Sequence, residues 1–160
     1  MILKERTEID RPAAHVWRFV VTPELFLQWN DKVVEMEARG VFQLGQHFHT
    51  RYEMSRKQLQ CWSSVTAIEE GRLLEMQHGN CSGKGVHGDI KVIERITLEE
   101  KGGRTIVTKD VHMMNHGIPW FFIPLFWFIN RFGKPVGKDK LKEMCEAGSG
   151  EAWAASRKSR

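Results

Sequence analysis

The chain has 160 residues, a formal net charge of +4 and 41% hydrophobic residues, including six Trp, nine Phe and one Tyr. That is one domain's length, enough to bury a core without disulfides or metal. Lys and Arg are interleaved with Asp and Glu, as in Glu94-Arg95 and Glu99-Glu100-Lys101, so a solvated surface is expected rather than a nucleic-acid site.

Residues 2–9 read as a first strand. Asp10 is placed to cap a helix, and Pro12 to sit in its first turn. Thr22 and Pro23 repeat the device for a second short helix ending at Trp29. Residues 33–38 form the next strand, ended by Gly40. Phe48, Thr50, Tyr52 and Met54 then alternate with His47, His49, Arg51 and Glu53, the period of a half-buried strand. Residues 59–68 and 73–78 make a hairpin about Glu70-Gly71, and the glycine-bearing stretch 80–88 reads as a loop. Ile90, Val92, Ile96 and Leu98 alternate in a long strand, which Lys101-Gly102-Gly103 turns into the last one, 105–114. Short turns between consecutive strands imply an antiparallel meander.

The final element spans 118–147. Ile118 to Ile129 is apolar on every face, yet too short to cross a bilayer. Its expected places are the core, a lid over a greasy ligand, or a membrane surface, the last helped by Arg131, Lys134, Lys138, Lys140 and Lys142. Pro124 and Pro135 predict kinks or breaks, and 136–147 an amphipathic helix with Leu141, Met144 and Cys145 inward. Residues 148–160 read as a flexible basic tail after a domain of residues 1–147. Cys61, Cys81 and Cys145 are odd in number and lack CxxC spacing, which suggests reduced thiols and, with no apolar leader at Met1-Ile2-Leu3-Lys4, a cytoplasmic protein.

The opening carries a resemblance. Ile9, Pro12, Val16-Trp17, Pro23 and Trp29 match the strand–Pro–helix–Pro–helix start of the START-like, or SRPBCC, superfamily of polyketide cyclase/dehydrase and lipid-transport type. Val65-Thr66, Gly103-Arg104-Thr105 and the C-terminal helix extend the likeness at lower specificity. The resemblance implies an α+β helix-grip fold: a curved antiparallel seven-stranded sheet, two short helices after the first strand, and a long C-terminal helix gripped by the sheet. It further implies an internal apolar cavity for a lipid or polyketide-like compound, with no cofactor. The alternatives are a cyclase or dehydratase with a cavity acid/base, and a membrane-surface lipid-handling protein.

Several residues are candidates for that cavity. Trp29, Tyr52, Trp62, Met76, Glu94 and Trp120 are the expected lining; the strand that carries Trp62 reads in either phase. Glu94 is in phase with apolar neighbours, so a buried, raised-pKa general acid or base is one reading; a bulge near Ile93 that turns it outward is the other. In the last strand Thr108, Asp110 and His112 share one face and Val107, Lys109, Val111 and Met113 the opposite one. The second set favours burial, which makes His112 a weaker catalytic candidate. His78 follows Leu74 and Met76 in phase and ends its strand, where a surface turn is expected and a cavity-mouth position is the other reading. His47 and His49 share a face but lack a third nearby ligand, so no metal site is expected.

Overall fold

The computed structural model describes residues 2–54, 57–83, 90–114, 124 and 138–147. Its elements are β1 (Ile2–Ile9), α1 (Ala13–Val21), α2 (Pro23–Trp29), β2 (Val33–Met36), β3 (His47–Met54), β4 (Lys57–Glu69), β5 (Leu73–Ser82), β6 (Lys91–Lys101), β7 (Arg104–Met114) and α3 (Lys138–Glu146). The seven strands form one antiparallel sheet in the order β1-β7-β6-β5-β4-β3-β2. This is the expected meander, with β1 closing against the last strand. It makes a curved half-barrel with three helices, consistent with a helix-grip fold.

Period-two alternation sets the faces. Phe48, Val65, Leu74, Met76, Ile96, Leu98 and Val107 are buried on the inner face. The helices supply Val16, Phe19, Val20, Phe26 and Trp29 to the same core, joined by Met36 and Phe42. The β6–β7 turn is the two-residue hairpin its glycines promise: Lys101 pairs with Arg104, and Gly102 and Gly103 have φ of 59° and 77°.

The helix starts differ from expectation. Asp10 does not cap α1; its carboxylate faces Arg104 Nε at 3.4 Å, and Pro12 is itself the capping residue. The free N–H of Ala13 instead donates to Glu100 Oε2 at 2.8 Å, so the cap comes from the end of β6. Thr22 precedes α2 without a side-chain cap, whereas Pro23 does open that helix. In α3 Leu141, Met144 and Cys145 are buried as the pattern predicts. The β1–α1 loop is stitched to the end of α3, where Arg11 Nη2 donates to the Glu146 carbonyl at 2.8 Å. A cation at a helix C-terminus also meets the negative end of the helix dipole.

Two further expectations are corrected. Residues 80–82 belong to β5 rather than to a loop. Gln60 pairs with Ser82 but Trp62 with Gly79, so β5 carries one extra residue, and Asn80 absorbs it with φ of 48°. That bulge returns Cys81 to the inner face, where it meets Cys61 in a disulfide, so these two cysteines are not the reduced thiols expected. Cys145 is free, its thiol pushed up to about 12 by burial and by Glu146 against the opposing charge of Arg11. The aromatic run 118–129, apart from Pro124, lies outside the described residues, as do Pro135 and 148–160. Among the described residues no helix is long and apolar enough to cross a membrane.

Candidate functional site

One residue from each of β3 to β7 interrupts the apolar inner face with a polar group. Thr50, Ser63, His78 and Glu94 are at most 4% exposed, and the Lys109 side chain is 17% exposed. Ser63 and His78 are direct cross-strand partners and the other neighbours stand diagonally, because every second residue of each strand faces inward. The result is a continuous row across the sheet.

Ser63 Oγ donates to Thr50 Oγ1 at 2.9 Å and lies 2.8 Å from His78 Nδ1. With the Ser63 proton committed to Thr50, the Ser63 oxygen accepts from His78 Nδ1–H. His78 Nε2 is then free to accept the Tyr52 hydroxyl, which sits 3.1 Å away. The same Nε2 is 3.6 Å from Glu94 Oε2, an ion-pair approach when the imidazole is charged. Glu94 Oε1 is 2.8 Å from Lys109 Nζ and has no other polar partner among the described residues. Lys109 Nζ also lies 5.6 Å from the centre of the Trp29 ring, whose indole N–H donates to the Phe19 carbonyl at 2.9 Å.

These neighbours set the protonation states. Burial alone would raise the Glu94 carboxyl, but the Lys109 ammonium and His78 outweigh it and hold it down at about 2. Glu94 is therefore a carboxylate at neutral pH, which corrects the expectation of a raised pKa suited to a general acid. Burial, with the Glu94 charge behind it, lifts the Tyr52 phenol well above the usual tyrosine value, so it stays a neutral donor.

Lys109 and Trp29 also line a cavity of about 120 Å³ at the β1 side of the row. Its walls include Glu5 and Thr7 of β1, Ile96, Val107, Leu141 of α3, and the α2–β2 loop residues Asn30, Asp31 and Lys32. Asp31 is ion-paired with Lys140, which ties that loop to α3.

Of the residues expected in the lining, the structure gathers Trp29, Tyr52, Met76 and Glu94 on the inner side. Glu94 faces inward because no bulge interrupts β6 at Ile93; its register to β5 and β7 is continuous. Trp62 is corrected: Cys61, Ser63 and Val65 take the inner phase of β4, so Trp62 is 42% exposed on the outer face, edge-on to His49 at 4.4 Å. Trp120 lies outside the described residues. His112 is exposed on the outer face, as the apolar set containing Val107 dictates, so it is not a cavity base. His78 is corrected in the opposite sense: β5 continues past it, and it is 2% exposed at the centre of the row. His49 pairs with Glu37 at 3.0 Å, and no cluster of three metal-ligating side chains occurs among the described residues.

Thr50, Ser63, His78 and Lys109 are missing from the expected site. Lys109 had a signal, since it shares its face with Val107, Val111 and Met113. Ser63 had none, being a small polar residue in a strand of uncertain phase.

A sequence model of the family described as Activator of Hsp90 ATPase homolog 1-like protein matches residues 10–119, a span that contains the whole polar row. The chain belongs to that family. The family lies within the SRPBCC superfamily, the relationship implied by Ile9, Pro12, Val16-Trp17, Pro23 and Trp29. No curated protein matches the chain. Among solved structures, a protein of Mesorhizobium loti superimposes with a TM-score of 0.66 at 15% identity, covering 93% of this chain and 99% of that one. Ara h 8.0201 gives 0.62 at 15% identity, covering 92% and 99%. DynU16, from the dynemicin biosynthetic locus, gives 0.61 at 18% identity, covering 92% of this chain and 48% of its own. At such identities the likeness establishes the fold. Membership of the superfamily makes it a hydrophobic ligand-binding fold.

Proposed function

We propose that this protein binds an apolar small molecule against the inner face of its sheet, with the polar row orienting the ligand. The observation that carries this reading is the row itself. A buried chain of hydrogen bonds and charge on an otherwise apolar face is costly to desolvate, and an all-apolar face would pack at least as well. Binding sites have this composition: mostly apolar walls with a few convergent polar groups. Trp29, Tyr52, Met76 and Glu94 are the proposed lining, with His78 and Lys109 added to it. Apolar burial would provide most of the affinity and the row the orientation.

The cyclase or dehydratase reading has less support. A general acid must hold a proton at working pH, and Glu94 is kept ionised by Lys109.

Native mass spectrometry of freshly purified protein, followed by organic extraction, tests the binding reading. The expected result is a stoichiometric apolar molecule, or uptake of one from a panel of fatty acids, fatty alcohols, sterols and polycyclic aromatics. An empty protein that takes up no member of the panel overturns it.

A further inference from the structure

If the inner face holds an apolar ligand, as proposed above, the charges on that face decide which head group it accepts. In the polar row, one Lys or Arg is seated among the described residues, Lys109, and its ammonium is already held at 2.8 Å by Glu94. Two carboxylates flank it. Glu94 lies on the β6 side, and Glu5 is its direct partner across the β1–β7 ladder. Cross-strand partners share a face, and both Glu5 and Lys109 line the 120 Å³ cavity. Glu5 has no ion-pair partner among the described residues. At the cavity rim Asp31 is taken by Lys140, and Lys32 is exposed, so its charge is screened by water.

An incoming carboxylate would therefore meet two like charges and, among the described residues, no buried cation without a carboxylate partner; of the cavity's cations Lys32 alone is unpaired, and it faces water. Burying an unpaired anion is far more costly than burying a hydroxyl that finds a partner. The row has capacity for that hydroxyl. Glu94 Oε1 is ion-paired with Lys109 but accepts no hydrogen bond among the described residues, and an ammonium with one carboxylate partner retains N–H donors for a ligand oxygen. We propose that the protein selects ligands with an uncharged polar head, a hydroxyl or a carbonyl, over the corresponding carboxylates.

Two matched pairs test this by isothermal titration calorimetry on the full chain: decan-1-ol against decanoate, and 2-naphthol against 2-naphthoate. At pH 7.5 the neutral member of a binding pair should be tighter by about tenfold or more, the ratio that one unfavourable charge contact produces. Lowering the pH to about 4.5 protonates much of the acid probe but leaves Glu94 ionised, so the gap should narrow to roughly threefold or less. This arm uses the wild-type protein and does not depend on a variant folding. Glu94→Gln frees the Lys109 ammonium, and the preference should then invert toward the carboxylate. Carboxylates that bind as tightly as their neutral partners at pH 7.5, or an unchanged preference in folded Glu94→Gln, would overturn the head-group assignment while leaving ligand binding intact. If neither pair binds, the assignment falls together with the binding reading beneath it.

Discussion

The two faces of the sheet carry the same kinds of charged residue, one position apart, in different surroundings. In β6 Glu94 faces inward and Arg95 outward; in β7 Lys109 faces inward and Asp110 outward. On the outer face Arg95 Nε donates to Glu75 at 2.7 Å, Arg51 meets Glu35 at 2.7 Å, and Lys4 meets Asp110 at 3.8 Å. On the inner face Lys109 meets Glu94 at 2.8 Å. The distances barely separate the faces; the solvent does. The Glu35 side chain is 61% exposed and meets water when Arg51 is removed, whereas the Glu94 side chain is 6% exposed and does not. The contrast teaches that an ion pair here is structural or functional according to its phase in the strand, not its geometry.

The sharpest way to break that comparison is to delete one partner on each face. Lys109→Met strands a buried carboxylate and should cost about 3–5 kcal/mol in urea unfolding. Arg51→Met, which leaves the well-exposed Glu35 to water, should cost about 1 kcal/mol or less. Adding Glu94→Gln to Lys109→Met should recover most of the first loss. Equal costs for the two single variants would mean that water reaches the inner row as freely as the outer face.

The inner face also carries the covalent link. The Cys61–Cys81 disulfide spans a separation of 20 residues across the β4–β5 hairpin. Constraining a loop of that size stabilises by about 3 kcal/mol in the chain-entropy picture. Reduction, or Cys61→Ala with Cys81→Ala, should lower stability by about that amount, with no matching effect of reductant on the double variant. A loss below about 1 kcal/mol would mean that the bulge at Asn80 holds this edge of the row without the bond.

Acid separates the faces next. The Glu94 carboxyl is held at about 2 in the folded chain against 4.5 for an ordinary carboxylate. A depressed folded pKa contributes stability that is complete above the unfolded value and disappears as pH falls through the folded one. Its contribution, on the order of 3 kcal/mol, should therefore be present above about pH 4.5 and fade toward pH 2. The thermal midpoint of the wild type should fall more steeply than that of Glu94→Gln across this window. Parallel curves would show that Glu94 titrates like an outer-face acid.

Much of this contrast was legible in the sequence, because period two is a strong signal in long strands. The phase of Ile90, Val92, Ile96 and Leu98 placed Glu94 inward, and that of Phe48 and Thr50 did the same for Tyr52. Where strand phase shifts, legibility failed. Leu74, Met76 and His78 are in phase, but Gly79-Asn80 resembled a turn, so His78 was expected at the surface. The register shifts of β4 against β5 hid the inner set Cys61, Ser63 and Val65 and left Trp62 ambiguous. The disulfide depends on that pairing and on the extra residue in β5, neither of which cysteine spacing encodes. Lys109 falls on the inward face in the sequence as well, yet its role appears only when its neighbour on β6 is known.

Glu100 tests whether exposure alone sets what a charge contributes. It lies at the exposed end of β6, yet it accepts the Ala13 N–H at the start of α1, a donor with no partner inside the helix. A carboxylate there gains from both the hydrogen bond and the positive end of the helix dipole. Glu100→Ala should cost about 1 kcal/mol, more than the loss of an exposed ion pair such as Arg72–Glu69. Glu100→Gln keeps an acceptor but removes the charge, so it should lose roughly half of that, with the charge-dependent part shrinking in high salt. Chemical denaturation of both variants at low and high salt measures the split. If Glu100→Ala costs no more than a variant of Glu69, the α1 N-terminus is served by water, and burial would suffice to rank the charges of this sheet.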